Sequence, residues 1–426
     1  MTTGGSGSDN TVAKPPAPSS DGEPKPAQAG TPTGASWLSR QIIQPGRRIS
    51  LSLAWLSTFG ATVSIVFGRL WPQMLDLTHA GFFVRFMSWL AMLARTFEFH
   101  AALAAGAGVI LATLGKGGMR RRAAIAVGLF ASAWGLAPEA WTAIPPDWRS
   151  GGGPGGTAAA SRPTTPSLSP SPRDQIVLVT ANVLVGDRPR LAKRLLAMVD
   201  EEKPDVLLLQ EWDEHWARRA EPELRKRFSH VQGLIGPGAF GQAVCTNIEP
   251  SGPIKLYPPF GPRGAWMTPQ MRLILPLAGP ESRPPLNVLI QNIHLLSPSW
   301  QNNFDQFVHQ REEVRDLGIW LEGRPGDEAR HLPEGDGALV LAGDFNMHPT
   351  SAYAQILRDA GLRDAHREAG FGRGTTWPRV SRLRYAPGIR LDQVWVRGGL
   401  RVVECRTLAD IGSDHRPVLV RLRRAD

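Results

Sequence analysis

The run ALVLAG (338–343) is apolar or small throughout, then breaks off into Asp, Phe and Asn, with a His two residues later. An apolar run of this length, bounded by Gly, is the pattern of a strand buried on both faces, and polar groups at the end of such a strand sit where loops carry chemistry. The same event recurs along the C-terminal part of the chain. QIVLVTANVL (175–184) is interrupted by Asn182, DVLLLQEW (205–212) ends in Glu211, and PLNVLIQNIHLLSP (285–298) reaches His294. RLDQVWVRGGL (390–400) enters a strand at Asp392, and IGSDHRPVLVRL (411–422) carries Asp414 and His415 just before the last strand. Between these runs, RPRLAKRLLAMVDEEK (188–203) has helical spacing at Leu191, Leu195 and Met198, and FDQFVHQREEVRDLGIWL (304–321) also reads as a helix. Strands alternating with helices predict an α/β domain over 175–426.

The rest of the chain is different in composition. Residues 1–36 hold no aromatic and are rich in Gly, Ser, Pro, Thr and Ala, too little apolar surface to offset the entropy of ordering, so a disordered tail is predicted. A second stretch of this kind, 145–174, reads as a Pro/Gly/Ser-rich linker. Between them, 37–144 is predicted to be a membrane region with three spans near 51–67, 99–115 and 123–144, each free of Lys and Arg. The segment GFFVRFMSWLAMLA (81–94) is short and carries Arg85, which predicts an amphipathic interfacial helix. Arg40, Arg47 and Arg48 precede the first span, and KGGMRRR (116–122) follows the second. Cytoplasmic flanks collect Lys and Arg, so three spans put both clusters inside and deliver 175–426 to the far side. The expected location is therefore the cell inner membrane, multi-pass, with the C-terminal domain extracytoplasmic.

Net charge is +10, but residues 1–174 hold 15 Lys/Arg against 8 Asp/Glu, which leaves 33 against 30 for 175–426. The excess lies mostly outside the C-terminal domain, so it does not by itself call for nucleic acid. Two cysteines, Cys245 and Cys405, exclude a disulfide framework and a Cys-based metal site; a pair of buried free thiols is expected, with a single disulfide left open.

TANVL, LLLQEW, QNIHLL, LAGDFN, RLDQVWV and GSDHRP, in that order, resemble the motif series of the endonuclease/exonuclease/phosphatase (DNase I-like) superfamily. The resemblance implies a four-layer α/β sandwich with two central mixed β-sheets flanked by helices, here preceded by three transmembrane helices. It also implies a Mg²⁺-dependent phosphohydrolase, with Mn²⁺ as the alternative ion. Such an ion takes oxygen ligands from few carboxylates, which suits Glu211 with Asn182 and Asp414. By resemblance Asp392 is the partner of His415, which would take a proton from water. Asp344 would orient or deprotonate that water, Asn346 would donate to the phosphate, and His294 would donate a second hydrogen bond as an imidazolium. His348, just beyond GDFN, is read as a bystander. The expected counterpart of the catalytic tyrosine of abasic-site enzymes is missing.

Three spans followed by an outward-facing domain of this superfamily are similar to the VanJ-type teicoplanin-resistance membrane proteins, which implies a lipid-linked pyrophosphate or phospholipid head group as substrate. A tether near the bilayer raises the effective concentration of lipid head groups and does nothing for a soluble substrate. The segment 373–401 holds seven arginines against one acid, and Arg373 and Arg390 are candidates for binding substrate phosphate. An extracytoplasmic DNase I-like nuclease, with nucleic acid as the alternative substrate, is the competing reading. A non-catalytic membrane-bound binding protein is the third. No oligomeric state follows from the sequence.

Overall fold

The computed structural model describes residues 44–72, 75–115, 118–149, 174–236, 238–257, 270–278, 284–322 and 337–425. The expected tail 1–36 and nearly all of the expected linker lie outside these residues.

Among the described residues, twelve strands form two sheets. One contains β1 (Gln175–Asn182), β2 (Val206–Gln210), β3 (His230–Leu234) and β4 (Gln242–Thr246), and is completed by β11 (Leu400–Thr407) and β12 (Val418–Arg424), in the order β11–β12–β1–β2–β4–β3. The other contains β5 (Lys255–Tyr257), β6 (Gln270–Leu277), β7 (Leu286–His294), β8 (Ala338–Asp344), β9 (Arg363–Asp364) and β10 (Asp392–Arg397), in the order β5–β6–β7–β8–β10–β9. Both sheets are mixed: β1 runs parallel to β2 and β7 parallel to β8, while the other pairs are antiparallel.

The uninterrupted apolar runs follow from burial on both faces. Successive side chains of a strand point to opposite sides. In β1, Ile176 and Leu178 join Val288, Ile290 and Val340 of the other sheet in one core between the sheets. Val177 and Val179 point the other way, onto Leu191, Leu195 and Met198 of the helix Pro189–Glu202. On the far side, Leu289, Leu341 and Trp395 pack under the helices Gln301–Leu321 and Ala352–Asp359. The predicted sandwich of helix, sheet, sheet and helix is the fold observed. Cys245 and Cys405 are both buried and free, and burial pushes both thiols up, that of Cys405 to about 12.

Upstream, we number the helices α1 (Gln44–Leu70), α2 (Phe82–Thr96), α3 (Glu98–Leu114), α4 (Met119–Ala140) and α5 (Pro146–Arg149). Two helical segments, Ser50–Leu70 and Met119–Ala140, are long and apolar enough to cross a membrane. The expected span at 99–115 corresponds to α3, which at 17 residues meets that test only together with α2, to which it is joined by a 67° bend. Small residues let these helices approach closely: a Cβ on Gly128 would lie 2.5 Å from Val109 and 2.7 Å from Thr58. At one end, Glu98 is buried between Arg69 and Arg95, and Arg69 also donates to Trp134 O at 3.1 Å. The arginines 120–122 open α4, about 30 Å along the helix from its C-terminal end.

The segment expected to lie in the membrane interface finds its apolar partner within the protein. Met92, Trp89, Phe86 and Val84 of α2 pack with Phe304, Phe307 and Val308. Arg85, which interrupts the apolar pattern, pairs with Asp305 at 2.8 Å. Phe82, whose ring meets that of Phe304 at 5.6 Å, and Phe83 remain largely exposed. The first residues of the expected linker are also ordered: α5 donates from Arg149 to Arg367 O at 2.6 Å.

Candidate active site

Strand register assembles the cluster. His294, at the end of β7, lies opposite Asp344, at the end of β8, and Asp344 lies opposite Asp392, the first residue of β10. Three polar side chains from distant parts of the sequence thus stand in one row at one edge of the sheet. The close approach of β7 and β8 depends on Gly343, where a Cβ would lie 1.8 Å from Ile293 O. From the facing sheet come Asn182 at the end of β1, Glu211 just after β2, and His415 just before β12.

Asn182 links the two sheets. Its Nδ2 donates to Glu211 Oε1 at 2.9 Å and to Asp344 Oδ2 at 3.1 Å, while its Oδ1 accepts from Leu184 N at 3.1 Å. Glu211 Oε2 accepts from Val185 N at 3.0 Å. Glu211 and Asn346 both adopt positive φ, 61° and 48°, a backbone state that side-chain-bearing residues enter only where the surroundings impose it. Asn346 donates from its backbone N to Asp344 Oδ1 at 2.9 Å and from Nδ2 to Leu295 O at 2.8 Å.

His415 donates from Nδ1 to Asp392 Oδ2 at 2.8 Å, and its Nε2 is 3.8 Å from Asp344 Oδ2. Burial alone would lower the imidazole, but the carboxylates of Asp392 and Asp344 outweigh it and push it up to about 10. These carboxylates favour the ring form that holds both protons and can donate one, whereas the expected acceptance of a proton from water needs the neutral form. His294 is biased in the opposite sense: it is buried, and burial lowers it below the ordinary imidazole range with Asp344 pulling only partly back, which favours the neutral ring over the expected imidazolium.

Glu211 is pushed up by burial, with its two hydrogen bonds pulling it down and the charge of Asp414 adding to the rise. Asp414 is close enough to act on Glu211, but its side chain makes one long hydrogen bond, accepting from Ser413 Oγ at 3.4 Å. Among the described residues, no Lys or Arg forms an ion pair with Glu211, Asp344, Asp392 or Asp414. A set of buried carboxylate oxygens gathered around one amide, without a fixed cation, fits a hard divalent ion. The atoms of Asp344, Asp392 and His415 also lie within 4.8 Å of one another, a buried acid–imidazole group that could hold such an ion.

The two arginines expected to bind substrate phosphate lie elsewhere. Arg390 is buried and donates two bonds to Asp364, at 2.7 and 2.6 Å. Arg373 lies 3.5 Å over the Phe99 ring, with its Nε 3.8 Å from Glu139. Both line a cavity that touches none of the carboxylates of the cluster. His348 is buried, bonded through Nδ1 to Thr350 Oγ1 at 2.7 Å, and lines that same cavity.

Several supporting residues escape a reading of the strand ends alone. Thr376 Oγ1 accepts from the backbone of both Leu391 and Asp392, at 3.0 and 3.1 Å, fixing the entry of β10. Ser413 Oγ donates to Asn182 O at 2.8 Å. Beneath the cluster Gln210 Nε2 donates across the sheets to Asn292 Oδ1 at 2.6 Å. The available signal is a polar residue inside an otherwise apolar run, as in LLLQEW and LIQN.

Residues 179–415 match the Endonuclease/Exonuclease/phosphatase family. The chain belongs to that family. Its members are phosphodiesterases, phosphatases and nucleases, and the matched span includes every residue of the cluster. No curated protein matches the chain. Among solved structures, truncated TDP2 from Caenorhabditis elegans is 16% identical, with 58% of this chain and 97% of that one covered and a TM-score of 0.42. The endonuclease/exonuclease/phosphatase from Beutenbergia cavernae is 22% identical, covering 59% of this chain and 72% of that one at a TM-score of 0.41. The 3′ phosphatase NExo from Neisseria, bound to a product DNA hairpin, is 20% identical, covering 57% and 98% at a TM-score of 0.44. The family is typically divalent-metal-dependent, and the buried Asp344–Asp392–His415 group could hold such an ion.

One buried acid behind the cluster gives a pH prediction. Glu313, in the helix Gln301–Leu321, accepts from Leu296 N at 2.8 Å, two residues after His294. Burial raises it well above the ordinary carboxyl range. The unfolded chain ionises near pH 4.3 while the folded one stays protonated, so this group's contribution is full below that pH and is lost as pH rises toward the folded value. Glu313→Gln keeps the acceptor and removes the titration. Its thermal stability relative to the parent is expected to improve between pH 5 and 8, by up to about 1.4 kcal/mol per pH unit. Parallel unfolding curves across that range would refute it.

Proposed function

We propose that this chain is a membrane-held, metal-dependent hydrolase of phosphoric esters or anhydrides, with an extracytoplasmic active site and a lipid-linked pyrophosphate or phospholipid head group as substrate. The observation that carries this reading is where the apolar helices touch the catalytic domain. The site-side loops of all three strands bearing His294, Asp344 and Asp392 are held from this side: Trp89 and Arg95 of α2 donate to Pro298 O at 3.0 Å and Thr350 O at 3.1 Å, and Gly372 N donates to Thr142 O, in the turn after α4, at 2.8 Å. A bilayer around α1 and α4 would therefore lie on the side of the domain where the cluster lies. A substrate anchored in that bilayer arrives at the strand ends without leaving it.

In this reading Glu211, with Asn182 and Asp414, would hold Mg²⁺ or Mn²⁺, and the ion would neutralise charge on the phosphate oxygens. Asp344 orients the attacking water. His415, held through Nδ1 by Asp392, presents its Nε2 proton toward the developing charge, and Asn346 and neutral His294 donate to the phosphate.

The test is made with the full chain in vesicles. Phosphate release from a polyprenyl pyrophosphate in the same bilayer is expected, with no nicking of plasmid DNA by the same preparation. Salt-sensitive DNA cleavage without phosphate release from any lipid pyrophosphate would replace the lipid reading with the nuclease. Neither activity in Mg²⁺ or Mn²⁺ would favour a binding protein. For orientation, a reporter fused after residue 174 is expected to work only outside the cytoplasm, and one placed within 116–122 only inside. Matching signals at the two positions would refute three crossings.

A further inference from the structure

Between the end of α4, α5 and the catalytic domain lies a cavity of about 470 Å³. Its walls carry six arginines and three acids. Each acid is committed: Asp364 to Arg390 at 2.6 Å, Glu368 to Arg363 at 3.4 Å, and Glu139 to Arg373 at 3.8 Å. The remaining three arginines, Arg149, Arg358 and Arg367, have no acid partner among the described residues. Arg149 donates to the carbonyls of Arg367 and Gly370, and Arg358 to Pro349 O at 2.9 Å and Gln355 Oε1 at 2.8 Å. Carbonyl and amide oxygens satisfy donors without cancelling charge. Among the described residues the exposed Arg367 side chain has no hydrogen-bond partner, and its backbone N donates to Asp364 at 3.4 Å. Trp141 and Trp395 supply flat apolar wall, and Arg358 lies 6.0 Å from the Trp395 ring.

A half-open cavity with surplus guanidinium charge and forked donors is complementary to phosphate, which guanidinium pairs bidentately. We propose that this cavity is a phosphate-binding site, distinct from the catalytic cluster, that takes a phosphate monoester or diester. Its position names the two sources to be separated. Its upper wall is built by 138–149, the residues that leave the apolar helix α4, which is head-group level if α4 crosses a bilayer; a free phosphate ester would reach the same arginines from solvent. Only the lipid source rests on the membrane reading. The charge imbalance does not. Occupancy would tie the helices to the catalytic domain, since Arg149 stands on one wall and Arg358 and Arg367 on the other.

Calorimetry on the detergent-solubilised full chain tests this with three probes: inorganic phosphate, a short-chain phosphatidic acid, and the matching diacylglycerol. Phosphate-bearing probes are expected to bind and diacylglycerol not to. Arg367→Glu should weaken phosphatidic acid binding at least ~10-fold, and the milder Arg367→Gln, which leaves the fold's bonded groups alone, should weaken it less. Glu211→Gln should leave that binding unchanged, which separates this site from the catalytic one. Tighter binding of phosphatidic acid than of phosphate assigns the lipid source, and equal binding assigns free phosphate esters; either supports the site. Equal binding of diacylglycerol, unchanged binding in both Arg367 variants, or its loss in Glu211→Gln would overturn it.

Discussion

Glu211→Gln is expected to lower hydrolysis by at least about 10²-fold in saturating Mg²⁺, with the chain still folded. Both Glu211 oxygens accept here, one from Asn182 Nδ2 and the other from Val185 N. Glutamine has one acceptor oxygen, so its amide nitrogen must face one of these donors, at a local cost of about 1–3 kcal/mol. The larger effect is chemical. The amide cannot supply the anionic ligand. Binding of Mn²⁺ followed by electron paramagnetic resonance gives a readout independent of turnover and should weaken in parallel. Full activity of the parent in EDTA, or a variant within threefold of it, would remove the ion from the proposed chemistry.

Asp392→Asn is expected to cost a similar factor and to change the pH profile in a definite direction. The Asp392 and Asp344 carboxylates together raise His415 against the effect of burial. Taking one away lowers the imidazolium's hold on its proton. If the protonated ring is the active form, the alkaline limb of activity must move to lower pH in the variant. His415→Ala should abolish that limb and lose at least about 10²-fold at neutral pH. A limb that moves to higher pH, or a profile unchanged by Asp392→Asn, would return His415 to the role of base.

The strand ends were legible because their chemistry is local: an apolar run ending in Asn182, Glu211, His294 or Asp344 announces itself within a few residues. Register then brings them together without any further signal, His294 opposite Asp344 and Asp344 opposite Asp392. The arginines were not legible in this way. Arg390 and Arg373 sit in a basic run, and what decides their role is an acid far away in sequence, Asp364 for one and Glu139 for the other. Protonation states were hidden for the same reason. His294 and His415 differ in the number of carboxylates around them and in how far those outweigh burial. For the amphipathic segment, hydrophobic periodicity reports an apolar neighbour without saying whether it is lipid or the helix Gln301–Leu321.

That contact changes what the apolar helices do for the site. A flexible leash lets an enzyme sample many heights and tilts. Here α2 is clamped by Arg85 to Asp305, by Trp89 to Pro298 O and by Arg95 to Thr350 O, and its buried face is continuous with the domain's core. On the proposed reading the carboxylates stand at a fixed stand-off from the bilayer surface, and the mount acts as a ruler. Two lipids with the same reactive phosphate but spacers of different length would then differ in turnover by geometry alone. The longer or shorter of them would fail by missing the strand ends rather than by fitting them badly.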